Sequence, residues 1–107
     1  MPQIRYTQRM GEDLARLSAF LQENAPNKID EAMQKIFDKI EMLINFPELG
    51  NLVPNEKYPN LRQLVIPYGK AGYVALYNYD KGNDLIIMET IRHSRELEPD
   101  FFKKNLN

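Results

Sequence analysis

The feature that most constrains this chain is an apolar stripe at helical spacing: Ile29, Met33, Ile36, Phe37, Ile40, Leu43 and Ile44. Residues that recur three and four apart share one face of an α-helix. The stripe predicts a helix over residues 27–45, the longest element of the chain. Pro26 stands just ahead of it, in the first-turn position where a missing N–H costs nothing. A second stripe, Met10, Leu14, Leu17 and Leu21, comes before the proline. Glu12 and Asp13 are expected in the first turn of that earlier helix, where the helix dipole favours negative charge. It should stop at Asn24-Ala25-Pro26, because the residue before a proline avoids the helical region. Two amphipathic helices joined so briefly should form an antiparallel hairpin, and each needs something to cover its apolar face.

The rest of the sequence supplies strands for that purpose. Residues 3–7 alternate, with Ile4 and Tyr6 on one face, and predict a short strand. Phe46-Pro47-Glu48-Leu49-Gly50 ends the long helix, and the prolines and asparagines up to Asn60 read as a loop. Three strand-like runs follow, over residues 61–66, 72–79 and 84–91. Asp80-Lys81-Gly82-Asn83, between the last two, has the chemistry of a hairpin turn. The expected fold is α+β: an N-terminal strand, an antiparallel helical hairpin, then a three-stranded antiparallel meander. Residues 1–107 should form one domain, and Phe101 and Phe102 could dock the charged tail that follows Arg92.

Composition narrows the function. Lys and Arg number 14 against 15 Asp and Glu, a net charge of −1, so the chain as a whole is not a basic nucleic-acid coat. Cysteine is absent, which excludes disulfides, thiolate metal sites and cysteine nucleophiles. The single histidine excludes a histidine-rich metal cluster. No metal and no cofactor are expected. No apolar run approaches the roughly 20 residues of a membrane span, and no signal-peptide core follows the N-terminus. A soluble, cytoplasmic domain is the expectation.

Chemistry-bearing residues gather at the end of the last strand: Arg92, His93, Ser94, Arg95 and Glu96. His93 can work as acid or base near neutral pH, and Arg92 and Arg95 can bind phosphate or carboxylate. The alternative is structural, with His93 at the edge of the core and the arginines paired to Glu96 and Glu98. Arg62 sits among apolar neighbours in a strand and must point to the open face of the sheet or pair with something; on the open face it would be a solvent-side residue or a phosphate or partner contact. Tyr68, Tyr73, Tyr77 and Tyr79 read first as strand packing, the last three sharing one face by period-two counting; an exposed tyrosine row could instead stack bases or hold a partner peptide.

Taken together, these segments resemble the RelE/ParE toxin superfamily. The resemblance rests on Asp13-Leu14, Phe46-Pro47-Glu48-Leu49-Gly50, Leu61-Arg62-Gln63-Leu64, the run Gly72-Tyr73-Val74-Ala75-Leu76-Tyr77, and Ile91-Arg92-His93-Ser94-Arg95-Glu96. It covers nearly the whole chain and implies a β-α-α-β-β-β order. It further implies the toxin of a type II toxin–antitoxin, or plasmid stabilisation, module in a bacterium, with a cognate antitoxin that wraps it. Two activities occur in that superfamily: RelE-like members cleave mRNA on the ribosome, and ParE-like members poison DNA gyrase.

The Phe-Pro-Glu-Leu-Gly junction and the His93-Ser94-Arg95-Glu96 ending look more like the ParE branch. That branch implies inhibition of DNA gyrase by binding, through Arg62, Arg92, His93 and Arg95. The alternative is a metal-independent endoribonuclease acting with the ribosome on mRNA. There His93 would be acid or base, and Arg62, Lys70, Arg92 and Arg95 would neutralise phosphates. RelE-like members tend to carry a tyrosine near the C-terminus; here none follows Tyr79, and Phe101 and Phe102 transfer no proton. In either case Leu14, Leu17 and Leu21 are expected as exposed apolar residues contributing to an antitoxin groove.

Overall fold

Residues 1–96 are described by a computed structural model of the chain; the tail residues Glu98, Phe101 and Phe102 lie outside them. Thr7 starts the first helix. Its hydroxyl accepts the Met10 N–H at 3.0 Å, capping helix α1 over Gln8–Asn24. The helix therefore begins before Gly11, and Glu12 and Asp13 lie beyond its first turn rather than in it. The Ala25 N–H closes on the Leu21 carbonyl, and Pro26 opens a single 3₁₀ turn, Pro26–Lys28. Helix α2 follows over Ile29–Glu41 and tightens into a 3₁₀ turn, Met42–Ile44. The predicted 27–45 element is thus one α-helix with a 3₁₀ turn at each end.

The helices cover one face of a five-stranded sheet. Its strands are β1 (Gln3–Tyr6), β2 (Asn51–Leu52), β3 (Leu61–Tyr68), β4 (Ala71–Asp80) and β5 (Leu85–His93), in the order β1-β5-β4-β3-β2. The meander β3-β4-β5 is antiparallel as expected. Two strands extend it. β1 pairs parallel to β5, with Gln3 opposite Leu85 and Tyr6 opposite Met88. β2, inside the segment read as loop, adds two residues to the far edge. An edge so short and close to Pro54 offers little for another chain to pair with.

Leu17, Ile36, Ile40 and Leu43 from the helices meet Leu64, Ile66, Tyr77, Ile86, Met88 and Ile91 from the sheet in the main core. Phe37, expected in the helix stripe, stands at its outer flank and packs against Tyr6, ring centroids 6.4 Å apart. On the opposite face Leu61 and Leu76 form a small second core under Val53 and Tyr58.

The Phe46–Gly50 junction is fixed by two side chains. The buried Tyr77 hydroxyl accepts the Gly50 N–H at 2.9 Å and donates to the Pro47 carbonyl at 2.8 Å. Arg62 donates to the Glu48 and Gly50 carbonyls at 3.2 and 2.7 Å. A Cβ on Gly50 would lie 2.7 Å from the Gln63 carbonyl oxygen, so only glycine lets the turn dock this closely. Arg62 is accordingly not on the open face. It lies directly opposite Tyr77 in the ladder, and paired residues share a face, so it stands on the helix-covered side.

One irregularity re-aims the end of β5. Leu76 pairs with Thr90 but Tyr77 pairs with Met88, leaving Glu89 as an extra residue. Such a bulge shifts the alternation by one. Ile86 and Met88 face the core before it, and Ile91 faces the core after it. His93, two residues on, therefore turns to the helix side.

Candidate functional site

Beyond Tyr6 no strand lies beside the outer edge of β5 among the described residues, and side chains of Thr7 and α1 take that place. The Thr7 hydroxyl donates to the Glu89 carbonyl at 2.9 Å. The Asp13 carboxylate accepts the Thr90 hydroxyl at 2.5 Å and the Ile91 N–H at 3.1 Å. Arg16 donates to the Ile91 carbonyl at 3.3 Å. Edge groups that would otherwise stay unpaired in a partly buried seam are satisfied in turn.

The turn that follows is built around His93. Its carbonyl accepts the Glu96 N–H at 3.0 Å, and Ser94 N–H bonds the Gly72 carbonyl at 2.8 Å. A Cβ on Gly72 would fall 2.3 Å from the Ile66 carbonyl oxygen, so glycine is required where β4 lies against β3. Arg92 reaches the carbonyls of His93, Ser94 and Glu96 at 3.3–3.4 Å. Glu96 closes the turn: one carboxylate oxygen accepts the His93 N–H at 2.7 Å, and the other binds the Arg16 guanidinium. Burial by itself would raise the Glu96 carboxyl, but the bonds from Arg16 and from the His93 N–H outweigh it and hold the group below the usual carboxylate range. The same contact with Glu96 raises Arg16 further.

Between this turn and the second half of α1 lies a cleft of about 650 Å³, lined by Arg16, Leu17, Phe20, Leu21, Tyr68, Tyr73, His93, Arg95 and Glu96. Tyr73 meets His93 edge-on with centroids 5.5 Å apart, and Tyr68 stacks on Tyr73 at 6.4 Å. Burial first, and then the neighbouring Tyr68, push the Tyr73 phenol above its ordinary range. The imidazole is anchored at its inner nitrogen, where Nδ1 accepts the Arg95 N–H at 3.1 Å. In the neutral ring the proton then sits on Nε2, which can only donate.

The structure brings some of the sequence candidates together and separates others. His93 and Arg95 line the cleft with Leu17 and Leu21. Leu17 is buried and Leu14 and Leu21 are half-buried, so these three are not the exposed row expected from sequence: α1 turns its apolar face onto the sheet. Arg92 stands at the same strand end with its guanidinium on the turn's carbonyls. Lys70 is exposed in the β3–β4 hairpin, at the same end of the sheet. Arg62 stands at the opposite end, holding the Gly50 turn. Arg16, Phe20, Tyr68 and Tyr73 complete the cleft; of these the tyrosines have a partner-holding alternative in the sequence reading, and Arg16 and Phe20 have none. Among the described residues no cluster of three or more His, Cys, Asp or Glu could hold a metal ion, and no helix is long and apolar enough to cross a membrane.

A two-helix cover on one face of this mixed sheet is the arrangement shared with solved toxins of the RelE/ParE class. The chain matches the family model for the ParE toxin of the type II toxin–antitoxin system parDE over residues 4–97. It is 31% identical over 96 residues to Toxin RelE3 of Caulobacter vibrioides, covering 90% of this chain and 98% of that one. The toxin fold is shared with a solved chain of the chromosomal ParDE TA system from P. aeruginosa, at 22% identity and a TM-score of 0.69, covering 89% of this chain and 98% of that one. It is shared too with the isolated E. coli RelE toxin, at 11% identity and a TM-score of 0.61, covering 99% and 96%. The chain belongs to the ParE toxin family, within the RelE/ParE superfamily of type II toxins.

Proposed function

We infer that this toxin acts as a ParE-like inhibitor of DNA gyrase, binding its target rather than carrying out chemistry, and that a cognate antitoxin holds it in check. One observation carries the reading: the His93 Nδ1 lone pair is already taken by the Arg95 N–H. A general base must present an unprotonated nitrogen to the substrate. In the neutral ring the remaining nitrogen, Nε2, then carries the proton and is a hydrogen-bond donor, not a base. The other groups in the cleft give little help with proton transfer. Glu96 is bound to Arg16, and the buried Tyr73 phenol holds its proton strongly. Aromatic walls, one imidazole donor and the Arg95 guanidinium suit a protein or protein–DNA contact. The match to the ParE family model over residues 4–97 supports the same branch.

The ribonuclease reading has its own support in the 31% identity to a relative named RelE3. Lys70 and Arg95, whose side chains make no ion pair among the described residues, could serve it by neutralising phosphates. The two readings part at His93. In His93→Gln a side-chain amide still donates a hydrogen bond but cannot serve as acid or base. Induced in cells, this variant should retain growth inhibition within a few-fold of wild type, with chromosomal breaks and intact mRNA. Ribosome-dependent mRNA fragments from the wild type that vanish in His93→Gln would overturn the binding reading.

A further inference from the structure

The cleft already contains a ligand-like group of its own. The Glu96 carboxylate sits between the Arg16 guanidinium and the His93 N–H, an anion seat made of one side chain and one main-chain donor. Asp13 also touches Arg16, at 3.5 Å, but its other oxygen is held by Thr90 and Ile91. Asp13 is therefore part of the frame. Glu96, with 38% of its side chain exposed, is the exchangeable partner. Arg95 lines the same cleft, and its guanidinium makes no hydrogen bond or ion pair among the described residues. Around these charges the walls are apolar. Leu17, Leu21 and Tyr73 form the floor side, and Phe20, 62% exposed, stands as an unsupported aromatic ring. Two guanidinium groups, one internal carboxylate and an apolar trough match a segment that carries an acidic side chain beside an apolar one.

We propose that the cleft receives an amphipathic acidic segment of the cognate antitoxin, whose carboxylate displaces Glu96 from Arg16 while an apolar side chain packs between Phe20, Leu21 and Tyr73. Glu96 then acts as an internal stand-in that keeps the anion seat filled while the toxin is free. Its displacement also removes the carboxylate from the His93 N–H, so antitoxin binding and the setting of the His93 turn are coupled through one residue. The inference rests on the antitoxin part of the proposed function and is independent of whether the target is gyrase or the ribosome.

Because the internal competitor is tethered, removing its charge should help the partner, and removing the seat should harm it. Calorimetric titration of the full-length toxin with its cognate antitoxin tests this. Glu96→Gln keeps an acceptor for the His93 N–H and should bind the antitoxin several-fold more tightly than wild type. Arg16→Gln should bind about tenfold more weakly, the scale of one charge-assisted contact. Phe20→Ala, at an exposed position that the fold does not need, should also weaken binding about tenfold. If Glu96→Gln and Arg16→Gln shift the affinity in the same direction, the pair is only structural and the exchange is wrong. Unchanged affinity in Phe20→Ala places the antitoxin elsewhere, and this holds even if the two charge variants fail to fold. No binding by the wild type would refute the antitoxin reading itself, whereas a failure of the gyrase reading would leave all these affinities untouched.

Discussion

Tyr77 carries more of this fold than its position in a strand suggests. Its ring is fully buried, and its hydroxyl is the partner of both the Gly50 N–H and the Pro47 carbonyl. In Tyr77→Phe the buried Gly50 N–H loses that acceptor, which costs about 1–3 kcal/mol; urea unfolding should show the loss with an unchanged m-value. Glu96 makes a pH-dependent contribution of known sign. Its carboxyl is depressed in the folded chain, so its stabilisation is fully present above the ordinary glutamate pKa of about 4.3. It disappears as pH falls below that and passes through the depressed folded value. Glu96→Gln should lower the neutral plateau of a thermal-stability profile by this contribution and converge on wild type at acid pH, flattening that part of the acid limb. Neither residue announces itself in sequence. A tyrosine in a strand reads as packing, and Glu96 reads as a partner for the arginines beside it, whereas the structure pairs it with Arg16 of α1.

At the scale of elements, β5 and α1 decide where the site is. The periodicity of α2 and the meander was legible because each buries one face, and burial leaves a stripe in the sequence. The parallel pairing of β1 left no such mark: four residues do not record which strand they join. The bulge at Glu89 was equally silent. Plain alternation from Ile86 through Met88 continues to Thr90 and Arg92, and only the extra residue brings Ile91 and His93 to the helix side. Arg62 was misplaced for a related reason. A charge opposite apolar neighbours suggests the open face, but here carbonyls of the Gly50 turn receive it on the covered one. The α1–β5 seam gives a direct test. Asp13→Ala removes the acceptor of the Thr90 hydroxyl and the Ile91 N–H, and should destabilise the protein by about 1–3 kcal/mol. Amide exchange at Ile91 should accelerate more than exchange at Met88, whose segment keeps β1 beside it.

For the whole molecule, the sheet separates two jobs. The end near Gly50 is locked by Tyr77 and Arg62. The end near His93 is open and holds the cleft, with Arg16, Arg95 and the neighbouring Arg92 and Lys70 set in a chain whose net charge is only −1. The histidine and arginines at that end were visible in sequence as a cluster, yet their division of labour was not. Arg92 braces the turn, Arg16 holds Glu96, and Arg95 lines the cleft with no side-chain ion pair among the described residues. We propose that this arrangement serves contact rather than catalysis. Purified toxin added to gyrase, ATP and supercoiled plasmid measures that claim most directly, with linear DNA scored after detergent and protease treatment. Linear DNA should accumulate with toxin concentration, in His93→Gln as well as in wild type. No linear DNA beside a working gyrase-poison control, with ribosome-bound mRNA cut by the same preparation, would contradict it.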